Sequence, residues 1–236
     1  MTKVITYFSQ KGGCGKTTLS ALTASYLAYT KRKRVVVIDG DQQGSFVDMR
    51  DTEKKSGIDN SGLGIEEYPI YSCKEYSKLP AYIRKLRDKG DCDFLIVDLP
   101  GQISDPNIIV ALSLCNYIIF PMEHVQNAFS SGLRSIKAVY ELMLALRKSS
   151  QECHIEHLAA VMNKVPRTQL GLANNLKNLV LVNFHLEKIF GAIIGRVDNM
   201  TSDRVSTLLP PSEITLAQKG LNYKAYLDEL SEYLGV

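Results

Sequence analysis

Val35-Val36-Val37-Ile38 is an unbroken run of β-branched residues, the mark of a strand covered on both faces. Phe94-Leu95-Ile96-Val97 is a second such run. Tyr117-Ile118-Ile119-Phe120, Leu158-Ala159-Ala160-Val161-Met162 and Gly191-Ala192-Ile193-Ile194 repeat it, and residues 3–8 form an earlier one that stops at a Gly-rich turn. Between the runs the apolar spacing lengthens. Leu133, Ile136, Tyr140 and Met143 recur every three or four residues, which puts them on one buried stripe of a helix. A helix is also predicted from Lys16 to about Thr30, with Leu19, Leu22, Ala24, Tyr26 and Leu27 as its apolar positions. The cluster Lys31-Arg32-Lys33-Arg34 closes it, where cations complement the helix dipole. That cluster reads as a solvated helix end feeding the next strand. Pro210-Pro211 and Ser212, a capping residue, open a last helix that runs to Leu234.

Strands that alternate with helices predict an α/β fold: a doubly wound, mostly parallel sheet with helices on both faces. No internal repeat, low-complexity tract or Pro/Gly/Ser linker interrupts the 236 residues. Residues 56–64, with three glycines, read as a loop. A single domain over residues 1–236 is therefore expected.

Composition narrows the class. Apolar residues are 45% and charged residues 22%, the balance of a soluble globular chain. The net charge of +3 permits a basic patch without implying nucleic acid. Five scattered cysteines form no Cys-x-x-Cys pair, which fits a reducing cytoplasm better than disulfides or structural zinc. The N-terminus runs straight into a strand, so no signal peptide is expected. The longest apolar stretch, Ile108 to Cys115, is too short to span a bilayer. Cys153, His154 and His157 lack a fourth ligand and do not read as a metal site.

The chemistry begins at Gln10-Lys11-Gly12-Gly13-Cys14-Gly15-Lys16-Thr17-Thr18. A strand, a Gly-rich turn and a helix opening at Lys16 make a cradle for a nucleoside triphosphate. Glycines let backbone N–H groups turn toward phosphate oxygens, and the helix N-terminus adds partial positive charge. Lys16 would reach the β- and γ-phosphates, and the Thr17 hydroxyl would ligate Mg²⁺. The general pattern G-x-x-x-x-G-K-[ST] fails, because Gln10 stands at its first glycine. A dinucleotide fingerprint fits worse, since no G-x-G-x-x-G is present. Asp39 and Asp98 each end a buried apolar strand. Parallel strands deliver their C-terminal ends to one crevice, so both acids would face the metal and its waters.

The loop Lys11-Gly12-Gly13-Cys14-Gly15-Lys16-Thr17-Thr18 resembles the deviant Walker A motif of the ParA/MinD family of ATPases. The resemblance continues in Asp39-Gly40-Asp41-Gln42-Gln43-Gly44, similar to the family's Asp-x-Asp-Pro-Gln-Gly with Gln42 in place of proline. It extends through Asp98-Leu99-Pro100-Gly101, similar to the Walker B strand and second switch, and through Val161-Met162-Asn163-Lys164. It implies ATP and Mg²⁺ as cofactors and ATP hydrolysis as the activity. Gly12, Gly13, Cys14, Gly15, Lys16, Thr17 and Thr18 would hold the nucleotide, and Asn163 would meet the adenine. Thr17 would ligate the metal, with Asp39 and Asp98 acting through water. Asp41 would orient or deprotonate the attacking water. Lys11 would cross to the nucleotide of a second subunit, which makes ATP the glue of a face-to-face homodimer.

The resemblance is closest to the partition branch. It implies non-specific duplex DNA binding by the ATP dimer, hydrolysis stimulated by a ParB-like cargo-bound adaptor, and a cytoplasmic protein that joins the nucleoid when ATP-bound. Lys219 is the best-placed DNA candidate, with Arg204, Arg196 and Lys188 behind it. The chain departs from the family at Gly195-Arg196-Val197, where a proline is common, and across residues 200–209. Rival readings remain in other classes. A MinD-like positioning ATPase needs a basic amphipathic C-terminal helix, and this C-terminus is acidic. An iron–sulfur reductase needs a cysteine just after Asp98, which is missing. A small-molecule ligase or kinase of the dethiobiotin-synthetase type stays open, to be told apart by a monomeric state and no DNA affinity. A non-catalytic ATP sensor has no need of Asp41.

Overall fold

Among the described residues seven strands carry the fold: β1 (Lys3–Tyr7), β2 (Val35–Asp39), β3 (Ile70–Ser72), β4 (Phe94–Asp98), β5 (Tyr117–Met122), β6 (His157–Val165) and β7 (Lys188–Gly195). The structure is a computed structural model that describes residues 1–196, 205–211 and 222–236. The strands form one sheet in the order β3-β2-β4-β1-β5-β6-β7, and every pairing is parallel. The helices are α1 (Lys16–Ser25), α2 (Ser45–Lys55), α3 (Leu79–Lys89), α4 (Pro106–Ser113), α5 (Gln126–Lys148), α6 (Leu170–Asn183) and α7 (Tyr223–Leu234).

The period of two along each strand divides the core between the two faces. In β4, Leu95 and Val97 join Ile83 of α3, Leu112 of α4 and Val139 of α5. Phe94 and Ile96 join Leu22 of α1 and Tyr226 and Leu230 of α7 on the other face. All five residues of β4 are buried, which is why the strand reads as a continuous apolar run. The doubly wound parallel sheet expected from the sequence is the observed one.

Two elements differ from expectation. The strand β3 has three residues, two of them exposed, and leaves no apolar signature. The helix predicted from Lys16 to about Thr30 is an α-helix only to Ser25. Residues Tyr26–Thr30 form a π turn, closed by the Lys31 N–H donating to the Tyr26 carbonyl at 2.9 Å. Tyr26, Leu27, Ala28 and Tyr29 are all buried there, more than one face of an α-helix would cover. The last helix is described only from Tyr223; its predicted start at Ser212 lies outside the described residues.

The sheet edges are closed in two ways. β3 is short. β7 has its backbone taken by side chains from two helices: Glu229 of α7 accepts from the Gly191 and Ala192 N–H groups at 2.6 and 2.7 Å, and Lys177 of α6 donates to the Gly191 carbonyl at 2.7 Å.

Candidate functional site

The chain leaves β1 at Tyr7 and turns into α1 through residues 8–15. Gly13 and Gly15 have φ of +72° and +94°, conformations that glycine adopts without steric cost. A Cβ on Gly15 would stand 2.6 Å from the Asn163 side-chain nitrogen, so backbone conformation and close packing both demand glycine there. No side chain caps α1 and no acid occupies its first turn. Its free N–H groups face the loop, where an anion would satisfy them.

Two acids sit beneath this loop because of strand register. Asp39 and Asp98 are direct partners on the adjacent parallel strands β2 and β4. The Thr17 hydroxyl donates to Asp98 Oδ2 at 2.7 Å, and the Ser20 hydroxyl donates to Oδ1 at 3.2 Å. Asp39 Oδ2 accepts from the Phe46 and Val47 N–H groups at 3.1 and 3.0 Å. Asp39 Oδ1 is buried without a partner. A bare carboxylate oxygen inside a protein is costly. Beside a second carboxylate and a threonine hydroxyl it completes a hard oxygen donor set, which suits Mg²⁺. Burial pushes the Asp98 carboxyl up to about 7; the Thr17 hydrogen bond works against that shift, and neighbouring Asp39 adds to it. Asp39 is raised as well, again chiefly by burial.

Gly12, Gly13, Gly15, Lys16, Thr17, Thr18 and Asp41 line a cavity of about 690 Å³, whereas Cys14 and Asn163 are buried and do not line it. Asp41 is held by its own turn, with Oδ1 accepting from the Gln43 N–H at 3.0 Å. Lys16 points inward: its ammonium lies 3.3 Å from where a Cβ on Gly101 would be. Lys11 turns away from it and pairs with Glu123 at 3.3 Å. Asn163 donates to the Cys14 carbonyl at 2.8 Å and so braces the loop. The Lys164 ammonium donates to the Gly13 carbonyl.

Glu123, Ser20 and Lys164 were not expected at the site. Glu123 follows the end of β5 as Asp39 and Asp98 end their strands, so its position alone is the available signal. Ser20 lies three residues after Thr17 on the same helical face.

Of the four DNA candidates only Lys188 and Arg196 are among the described residues, and these two lie at opposite ends of one strand. Lys188 opens β7, with its ammonium 5.3 Å from the Phe190 ring centre and 5.6 Å from that of Tyr233. Arg196 follows the other end of β7, on the order of 26 Å away at about 3.3 Å per strand residue. Arg204 and Lys219 lie outside the described residues. His154 pairs with Glu152 and His157 with Glu187, and no group of metal-ligating side chains occurs among the described residues. None of the described helices is long and apolar enough to cross a membrane.

Comparison with known proteins fits this geometry. The profile of the CobQ/CobB/MinD/ParA nucleotide binding domain matches residues 5–208. An uncharacterized ATP-binding protein of Methanocaldococcus jannaschii is 31% identical over 56% of this chain and 56% of its own length. The sporulation initiation inhibitor Soj of Bacillus subtilis is 40% identical over 31% of the chain and 23% of its own length. The chain thus spans about half of the first relative and under a quarter of the second. A virulence plasmid ParA family protein of Chlamydia psittaci is 25% identical over 87% of the chain and 72% of its own. Among solved structures, apo McdA of Cyanothece superposes with a TM-score of 0.67 at 15% identity, covering all of both chains. MinD of Pyrococcus horikoshii with Mg-ADP gives 0.64 at 19%, covering 100% of this chain and 98% of that one. At such identities these two establish the fold.

Proposed function

The chain belongs to the CobQ/CobB/MinD/ParA nucleotide binding domain family, and from that premise we propose that it is a magnesium-dependent ATPase of ParA type. It dimerises on ATP, binds duplex DNA without sequence preference, and partitions or positions a DNA cargo. The cargo carries a ParB-like adaptor that stimulates hydrolysis and releases the dimer. The protein is cytoplasmic and sits on the nucleoid while ATP is bound.

The observation that supports this reading above a generic nucleotide fold is the pair of loop lysines. Lys16 faces the cradle, and Lys11 leaves it for Glu123 at the rim. A cation at the rim can serve a phosphate outside its own cradle, as an arginine finger does. In this reading Lys11 exchanges Glu123 for the partner's nucleotide. Thr17, Asp39 and Asp98 hold Mg²⁺, the acids through water. When bound, the ion neutralises charge on the β- and γ-phosphates. Asp41 orients the attacking water. The Gly12–Thr18 backbone cradles the phosphates, and Asn163 stands toward the base.

The test is sedimentation and duplex binding with ATP and with ADP. A dimer that forms only with ATP, and binds duplex only then, is expected. The affinity should fall with salt as counterions are retaken by the phosphates. Duplex binding that ignores ATP or salt speaks against partition. A monomer in ATP without duplex affinity favours the small-molecule ligase instead.

The acid pair sets a pH dependence. A carboxyl raised to about 7 stabilises the metal-free fold below its unfolded value, and that contribution is lost as pH rises through about 7. Magnesium needs the ionised form, so binding releases a proton. The magnesium affinity of the ADP complex is expected to fall by up to about tenfold per pH unit below 7, read by calorimetry in two buffers of different ionisation enthalpy. A flat profile from pH 5.5 to 8 would show that metal binding displaces no proton from a carboxyl raised to about 7.

A further inference from the structure

Helix α2 carries two buried charged residues that the nucleotide chemistry does not use. Arg50 is 7% exposed and Glu53 3%. Phe46, Arg50 and Glu53, spaced by four and three, share one face of the helix. Burying two charges is costly unless each is well bonded. Both are bonded to one residue far along the chain, Thr207, which is itself fully buried.

Every polar atom of Thr207 is engaged. Its N–H donates to Glu53 Oε2 at 2.8 Å, and its hydroxyl donates to the same oxygen. Arg50 Nε donates to the Thr207 hydroxyl at 2.8 Å, and Arg50 Nη2 donates to its carbonyl at 2.7 Å. The remaining Arg50 nitrogen reaches Glu67 and the Tyr68 carbonyl at 3.2 and 3.3 Å. The guanidinium stands 4.6 Å from the Tyr68 ring centre.

The other end of the same helix holds the metal-site acid. The N–H groups of Phe46 and Val47, in the first turn of α2, occupy Asp39 Oδ2 and leave Oδ1 bare. The direction in which that bare oxygen points follows the position of α2. Arg50 lies only about 6 Å along the axis from Phe46 at 1.5 Å per residue, within one stiff element. We propose that Thr207, Arg50 and Glu53 are positioning residues for the metal: they fix α2 so that Asp39 presents Oδ1 to Mg²⁺. This rests on the reading of the site as a magnesium–nucleotide site.

The experiment uses the full chain and a fluorescent ADP analogue, titrated with Mg²⁺ and separately in EDTA. Thr207→Val keeps the side-chain shape and removes the hydroxyl. It is expected to raise the Mg²⁺ concentration for half-saturation by about tenfold, the usual size of an outer-sphere loss at a metal site. Affinity for the analogue in EDTA should stay at the parent value, and Thr207→Ser should restore the Mg²⁺ midpoint. A folded Thr207→Val with the parent midpoint overturns the proposal. So does an equal loss with and without metal, which is the mark of a merely structural role. If Thr207→Val does not fold, Glu53→Gln serves: a raised midpoint supports the proposal and an unmoved one overturns it. A parent chain that does not bind the analogue at all removes the nucleotide reading itself, and one that binds it equally well in EDTA and in Mg²⁺ removes the metal site. A normal parent beside unmoved variants removes this inference alone.

Discussion

Lys16→Ala is expected to abolish ATP and ADP binding while leaving the fold intact. The side chain sits at the first residue of α1, only partly buried, with its ammonium near Gly101 across the mouth of the loop. Among the described residues no hydrogen bond or ion pair restrains it, so its removal strands no buried partner there. A bond from an ammonium to an ionised phosphate contributes up to about 3 kcal/mol, or about 150-fold in affinity. In the proposed reading the lysine would reach two phosphates, so the loss should exceed that of one bond. Calorimetry should detect no ATP binding at millimolar concentrations, while thermal unfolding without nucleotide matches the parent. Affinity kept within tenfold would mean that the loop is not a phosphate cradle.

Asp41→Ala should separate binding from hydrolysis. Asp41 lines the same cavity but lies outside the buried acid pair, and its carboxylate accepts from the Gln43 N–H of its own turn. Removing a residue that orients or deprotonates water costs at least about 100-fold in turnover. The cradle and the metal acids remain, so ATP should still bind and the dimer should form and persist on duplex DNA. Sedimentation with ATP should show a dimer that does not decay over many parent turnovers. Hydrolysis at the parent rate would remove Asp41 from the reaction.

The parts of the site that were legible in the sequence are local. The loop, Lys16, Thr17 and the strand-ending Asp39 and Asp98 each declare themselves within a few residues, because a glycine turn or a strand end is a short-range pattern. Sheet order and register then bring the two acids side by side, and only the structure shows that. The bracing contacts were not legible. Asn163 and Cys14 are 149 residues apart in sequence, and Glu123 meets Lys11 across 112. Nor were the buried charges of α2, since nothing near Arg50 and Glu53 in sequence shows that Thr207, over 150 residues on, is placed against them. The strand β3 was invisible for want of length. The π turn after α1 was hidden because Tyr26 and Leu27 continue the apolar spacing of the helix before them, and the change in hydrogen bonding leaves no mark in the residue types.

The capped edge of β7 bears on how crowded copies behave. A ParA-type protein gathered on a polymer would meet itself at far higher local density than in dilute solution. An open strand edge under those conditions is a template for sheet-to-sheet growth. Glu229 and Lys177 already occupy the Gly191 backbone that a neighbouring strand would need, and β3 offers only three residues at the opposite edge. Copies brought close together would then lack, at Gly191, the open backbone through which strands pair between molecules.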